Sequence, residues 1–309
     1  MSAHIRTISK GTTSTARAAY AALVLAALCS GISTATTKYA LGQFAAADLL
    51  VVELTVATIV LWAVPGVRRS AQSGFRRGYL ILGVLEPGLA YALFNLGLAR
   101  TSAADAAVLV SLESVVIALF AAVFLGEKLS RWLGVGIAFG VSGAIVLATH
   151  EVHGGASLAG DTLVVAGVIA AAAYSVVARR LAPGGDAAVV TAYQLLAALA
   201  VAGLVWSAIS GSRETATFSH ASALPWLAAV ATGLLGSAIP FVLYTFAVVR
   251  LPAARTGLTL NLIPVFGVIS AFVLLNERLT AAQFVGAALI VSGLGAAQLG
   301  QMTSSPTSP

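Results

Sequence analysis

A single cysteine, Cys29, stands in this chain, inside an apolar run. One cysteine excludes an internal disulfide framework and a cysteine-cluster metal site, and it reads as a small buried apolar residue. Charge is scarce as well. Only 9% of the 309 residues are charged, 59% are apolar and the mean hydropathy is +0.97, whereas soluble domains carry roughly 25% charged residues. Most of the chain therefore has a lipid bilayer as its solvent. The net charge of +6 does not point to nucleic acid, because the basic residues sit in short loops between apolar segments and form no solvated face. There is no phosphate loop or nucleophile elbow, no paired nucleophile and base, and no metal-ligand cluster, which argues against ATP-driven transport and against an enzyme. In His150-Glu151-Val152-His153 the two histidines are three apart, where the zinc-protease motif needs them four apart on a helix. No metal and no cofactor is expected.

What the chain does have is long apolar runs. Ten segments, 18–39, 48–64, 79–98, 103–124, 132–149, 160–178, 187–208, 224–247, 251–275 and 280–300, approach or reach the roughly 17–25 residues that span the hydrocarbon core as a helix. The linkers are too short for a soluble domain. Residues 1–17 and 301–309 are polar tails without a core-forming pattern. Arg6, Lys10 and Arg17 precede the first run as in a signal peptide, but the run is long and Leu28 before Cys29 spoils a lipoprotein-type cleavage site, so it reads as a retained helix. With the N-terminus inside, Arg68, Arg69, Arg76, Arg77, Lys128, Arg131, Arg179, Arg180, Arg250 and Arg255 join those three on the cytoplasmic side, against Lys38, Arg100, Arg213 and Arg278 outside. Both termini are expected to be cytoplasmic.

The chain also repeats itself. Sliding 99–149 by about 150 positions onto 249–299 gives roughly sixteen identities in about fifty, a fixed-period similarity that points to duplication. Arg100 falls on Arg250, Glu127 on Glu277, Gly136 on Gly286, and Val141-Ser142-Gly143 on Val291-Ser292-Gly293. An odd number of helices per copy, about five, places the copies in the membrane with opposite orientation, the arrangement of alternating-access carriers.

The stretches SLESVVIALFAAVFLGEKL with WLGVGIAFGVSGAIVLA, and NLIPVFGVISAFVLLNERL with FVGAALIVSGLGAA, resemble the EamA-type family of the drug/metabolite transporter superfamily. The resemblance covers nearly the whole chain. The family segment usually reads like Leu-Glu-Pro-Val. Here the first copy keeps Leu112-Glu113 with Ser114 in the proline position, and the second keeps Pro264-Val265 with Ile263 in the glutamate position. The second helix, where the family often carries an arginine, has Glu53.

Glu113 is the charge that breaks the repeat's symmetry near mid-membrane. It is expected to bind a cationic or amino group or to carry a coupling proton, unless it serves as an acid hydrogen-bonded to a neighbouring helix. Glu86 precedes Pro87, which bends its helix beside a cavity, and Tyr91 and Asn95 continue the face of Pro87. Pro240 repeats the device in the second half. Tyr244, Thr245, Thr256 and Thr259 form a mostly neutral opposite wall, or else their hydroxyls bond their own helices. Lys38 and Glu53, at similar depth near the external face, are a candidate gate, with snorkelling of Lys38 the plainer account. Local ion pairing with Lys128 and Arg278 and turn-making account for Glu127 and Glu277. Small-residue stripes at Gly136, Gly140 and Gly143, and at Ala282, Gly286 and Gly293, are scaffold or a homodimer contact.

These residues predict an all-α membrane protein of about ten transmembrane helices in two inverted five-helix repeats, 18–149 and 160–300, in a bacterial-type inner membrane. From the resemblance, the implied function is secondary transport, exporting amino acids or related small metabolites by alternating access. Export of lipophilic cations is the nearest alternative, and a receptor or sensor that binds without transporting is the alternative from another class. A small-molecule substrate and the lipid bilayer are the expected partners.

Overall fold

The computed structural model describes residues 2–98, 100, 109–110, 112–148, 158–210, 222–275 and 281–304. Among them every regular element is helical: α1 (Ser2–Ala40), α2 (Ala46–Ala63), α3 (Pro65–Gly74), α4 (Arg77–Gly83), α5 (Ala90–Leu98), α6 (Glu113–Leu125), α7 (Arg131–Ala148), α8 (Leu158–Leu181), α9 (Ala187–Ser210), α10 (Ala223–Thr232), α11 (Ile239–Val248), α12 (Ala253–Leu260), α13 (Leu262–Leu275) and α14 (Ala281–Ser304). Seven helical stretches among the described residues are long and apolar enough to cross a membrane, and Glu113–Leu125 and Phe284–Ala297 are shorter apolar helices. Ile59, Leu204, Val273 and Leu158 are more than half exposed, as side chains facing lipid are. This is an all-helical, multi-pass membrane protein.

α3 occupies what reads in the sequence as a loop. Proline at its first position has no N–H to leave unpaired, and Val67 and Ala71, four apart, bury one face of the short helix while Arg68 and Arg69 stay exposed.

Two spans are broken in mid-course. Between α4 and α5 the backbone of Glu86 is extended (φ −151°, ψ 132°), Pro87 offers no N–H, and the Ala90 N–H reaches back to the Leu85 carbonyl in a turn wider than an α-helix. Between α10 and α11 the Ile239 N–H bonds the Leu234 carbonyl in the same way. The wide turn in the second half spans Gly233–Ala238, in the turn just before Pro240, where the missing N–H and the ring of that proline act. Glu113 and Asn261 also stand at interruptions: Glu113 opens α6, and Asn261 separates α12 from α13.

Glycines let α7 and α14 approach closely. A Cβ at Gly136 would come within 2.8 Å of the Gly293 carbonyl oxygen, and one at Gly143 within 2.5 Å of the Gly286 carbonyl oxygen, so α7 and α14 meet backbone to backbone. The two small-residue stripes therefore face each other inside the chain. One apolar cluster joins Leu23, Leu82, Tyr174, Val190, Phe241 and Val248, and another joins Leu50, Leu54, Leu61, Leu195 and Ala238. Both clusters tie helices from the two ends of the sequence around the broken spans.

Candidate functional site

Glu86 stands at the break with extended backbone, and Tyr91 follows on α5. Glu113 sits in the first turn of α6. The Glu86 and Glu113 carboxyls are within electrostatic range of each other, and Tyr91 and Tyr244 are each within electrostatic range of both. Glu86 and Glu113 are half-buried, and among the described residues neither has an ion-pair partner. Two acids within electrostatic range of each other, with no cation paired to either among the described residues, are a candidate site for positive charge.

Aromatic rings from the second half complete the surroundings. Tyr91 packs edge to face on Phe241 (centroids 6.1 Å apart), Tyr174 on Phe241 (6.0 Å), and Tyr174 stacks on Tyr244 (5.8 Å). The Tyr91 hydroxyl donates to the Gly236 carbonyl at 3.4 Å, across the break between α10 and α11. Ser175 donates to the Ala171 carbonyl at 3.2 Å, so in its 2.7 Å contact with Tyr244 the tyrosine hydroxyl is the donor. Gln194 donates through Nε2 to the Tyr174 hydroxyl at 3.4 Å, and Thr191 donates to Thr245, which in turn lies 3.5 Å from the Tyr174 hydroxyl. The Oε1 of Gln194, a fully buried residue, has no hydrogen-bond partner among the described residues and is free to accept from an N–H or O–H donor.

The structure brings together Glu86, Glu113, Tyr91, Tyr244 and Thr245 from the residues singled out in the sequence. It adds Tyr174, Ser175, Thr191 and Gln194, which sequence reasoning missed. Thr256 and Thr259 are buried and donate to the carbonyls of Pro252 and Arg255 in their own helix, four residues back, the plainer of the two readings given to them. Asn95 is half-buried on α5. Glu53 is 7% exposed and accepts a 2.6 Å hydrogen bond from Ser237, which places its carboxyl inside the protein against the second half. The Lys38 side chain, His150, Glu151, His153, Glu277 and Arg278 lie outside the described residues.

Glu127 departs from its expected local role. Its Oε1 pairs with Nε of Arg179 at 3.1 Å and accepts from the Ala253 N–H at 2.9 Å, while its Oε2 accepts from the Ala254 N–H at 3.3 Å. Arg179 also donates to the carbonyls of Val248 and Leu251. One carboxylate thus caps the N-terminus of α12 and ties α6 to α8, a favourable placement for negative charge at a helix start. The reason the local expectation fails is that Arg179 and the open N–H groups of α12 offer hydrogen bonds in fixed geometry, which an adjacent lysine in a turn does not.

A multi-pass helical membrane protein with two acids at interruptions of its helices, neither ion-paired among the described residues, has the anatomy of a transporter. The EamA-like transporter family model matches residues 17–149 and again 158–297: the chain belongs to that family. It is 28% identical over 276 residues to a "probable terminal-alkyne amino-acid exporter" of Streptantibioticus cattleyicolor, covering 88% of this chain and 91% of that one. It is 24% identical over 273 residues to the "uncharacterized transporter YyaM" of Bacillus subtilis, covering 86% and 88%. A solved crystal structure superposes with a TM-score of 0.77 over 95% of this chain and 99% of the other at 23% identity, a likeness of fold.

Proposed function

We propose that this transporter is a secondary carrier that exports amino acids or related small amine-bearing metabolites, with the Glu86–Glu113 pair and the Tyr91, Tyr174 and Tyr244 rings as its cargo site. The observation that carries the reading is that two carboxyls from the first half, with no cation paired to them among the described residues, are within electrostatic range of each other and of tyrosines from both halves. An ammonium group supplies the missing positive charge, the rings supply apolar and cation–π contact, and Gln194 Oε1 supplies an acceptor. The relative named for amino-acid export supports the cargo class. The reading takes the chain as ten spans in two inverted five-helix repeats, 18–149 and 160–300, in the inner membrane with both termini cytoplasmic. The two wide turns at matching places in the two halves support that arrangement.

Counterflow in proteoliposomes of the purified protein tests the function, with labelled L-propargylglycine (a terminal-alkyne amino acid), neutral amino acids and tetraphenylphosphonium as probes. The expected result is saturable exchange of one or more amino acids. Exchange of tetraphenylphosphonium alone would select the lipophilic-cation reading, which the same uncompensated acids favour. Binding of a probe without flux would make the protein a receptor.

A further inference from the structure

We propose that Glu53 is a proton-binding site separate from the cargo site, coupled to it through Tyr91. The inference rests on the transport reading and divides its two jobs, holding cargo and holding the driving ion, between different carboxyls. Glu53 lies on α2, in the first half, against the wide turn Gly233–Ala238 of the second. Ser237, itself fully buried, donates to its Oε1 at 2.6 Å, and among the described residues no cation pairs with it.

Backbone packs tightly on one side of the carboxyl. A Cβ added at Gly236 would meet Ser33 Oγ at 2.5 Å and Glu53 Oε1 at 3.0 Å, and one at Gly233 would meet the Glu53 carbonyl oxygen at 2.7 Å. A carboxyl that is 7% exposed, with Ser237 donating to one of its oxygens, suits a ligand as small as a proton better than it suits cargo. Among the described residues the titratable group within electrostatic range of it is Tyr91 on α5. Ser33 on α1 and Ser237 on the wide turn are its other polar neighbours, and Asp48 on its own helix is engaged by the Trp206 indole at 2.7 Å.

Tyr91 supplies the coupling. It is within electrostatic range of the cargo acids, while its hydroxyl holds the Gly236 carbonyl, next in the chain to the serine that holds Glu53. Cargo that moves Tyr91 therefore moves the turn on which the Glu53 hydrogen bond depends. When the seam between α2 and the wide turn opens to water, the carboxylic acid releases its proton to that aqueous phase. The carboxylate takes one back when the seam opens on the other side. One proton is bound and one released per cycle, with no other bond made or broken.

Infrared spectroscopy tests the site without any cargo. In liposomes containing the full chain in a Glu86→Gln/Glu113→Gln background, a protonated-carboxyl C=O band should fade as pH rises. It should be lost with Glu53→Gln and shifted in frequency by Ser237→Ala, so a folding failure of the first variant leaves the second as the reporter. A titrating band unmoved by either substitution, or no such band, overturns the proposal. In an otherwise native protein, Glu53→Gln should abolish accumulation of L-propargylglycine driven by a pH gradient, and its remaining counterflow should no longer vary with pH. Gradient-driven accumulation at the native level would equally overturn it. If the native protein moves no probe at all, the transport reading fails, while the infrared titration still decides the proton site.

Discussion

At the scale of single residues, the proposal for Glu113 and Glu86 rests on their having no positive partner among the described residues. A carboxylate with no cation beside it, next to a second carboxylate, is a costly feature of a membrane interior unless something polar visits. Glu113→Gln keeps the size of the side chain and an acceptor while removing the charge. Loss of a charged hydrogen bond is worth about 1.5–3 kcal/mol, roughly ten- to a hundredfold in affinity. The half-saturation concentration for L-propargylglycine counterflow should rise by that factor, with the variant still monodisperse on size-exclusion chromatography. Native counterflow by Glu113→Gln would make the acid structural and shift the site toward Glu86 and the Tyr91–Asn95 face. Such an acid is visible in a sequence because charge is rare in apolar runs. The partners are not: Ser175, Thr191 and Gln194 look like any polar residue within an Ala-rich helix. Only packing against Tyr174, Tyr244 and Thr245 shows which side they face.

Elements follow the same division between local signals and contacts between distant residues. Apolar length locates helices, and Pro87 marks the first break, since a residue without an N–H cannot complete an α-helical turn. Pro240 marks the second wide turn in the same way, because its missing N–H and its ring disturb the carbonyl four residues back, Gly236, inside Gly233–Ala238. The clasp made by Glu127 is invisible to local reading, because Arg179 and the α12 N-terminus are distant in sequence. Replacing Glu127 with Gln leaves Arg179 without its anion and weakens the cap on α12. Stability should fall by about 1–3 kcal/mol, read as a lower Tm of the detergent-solubilised protein. Arg179→Ala should destabilise as well, and the double variant should lose less than the sum of the two, since the residues share one interaction. Strict additivity would show that the clasp carries no coupling.

For the whole molecule, the claim that joins these parts is that two halves of opposite orientation expose one central site to each side in turn. The four interruptions, at Glu86, Glu113, Gly233–Ala238 and Asn261, lie in the third and fourth segments of each proposed half, where rigid helix arms can pivot about a fixed site. Cysteine accessibility tests this most directly. Single cysteines along Glu113–Leu125 and Leu262–Leu275, in a Cys29→Ala background, are labelled with a membrane-impermeant maleimide from either side of the membrane, with and without L-propargylglycine. The account predicts that adding the amino acid raises labelling toward one end of these helices and lowers it toward the other. Labelling that stays uniform along both helices, whether or not the amino acid is present, would contradict alternating access and leave a channel or a static pocket.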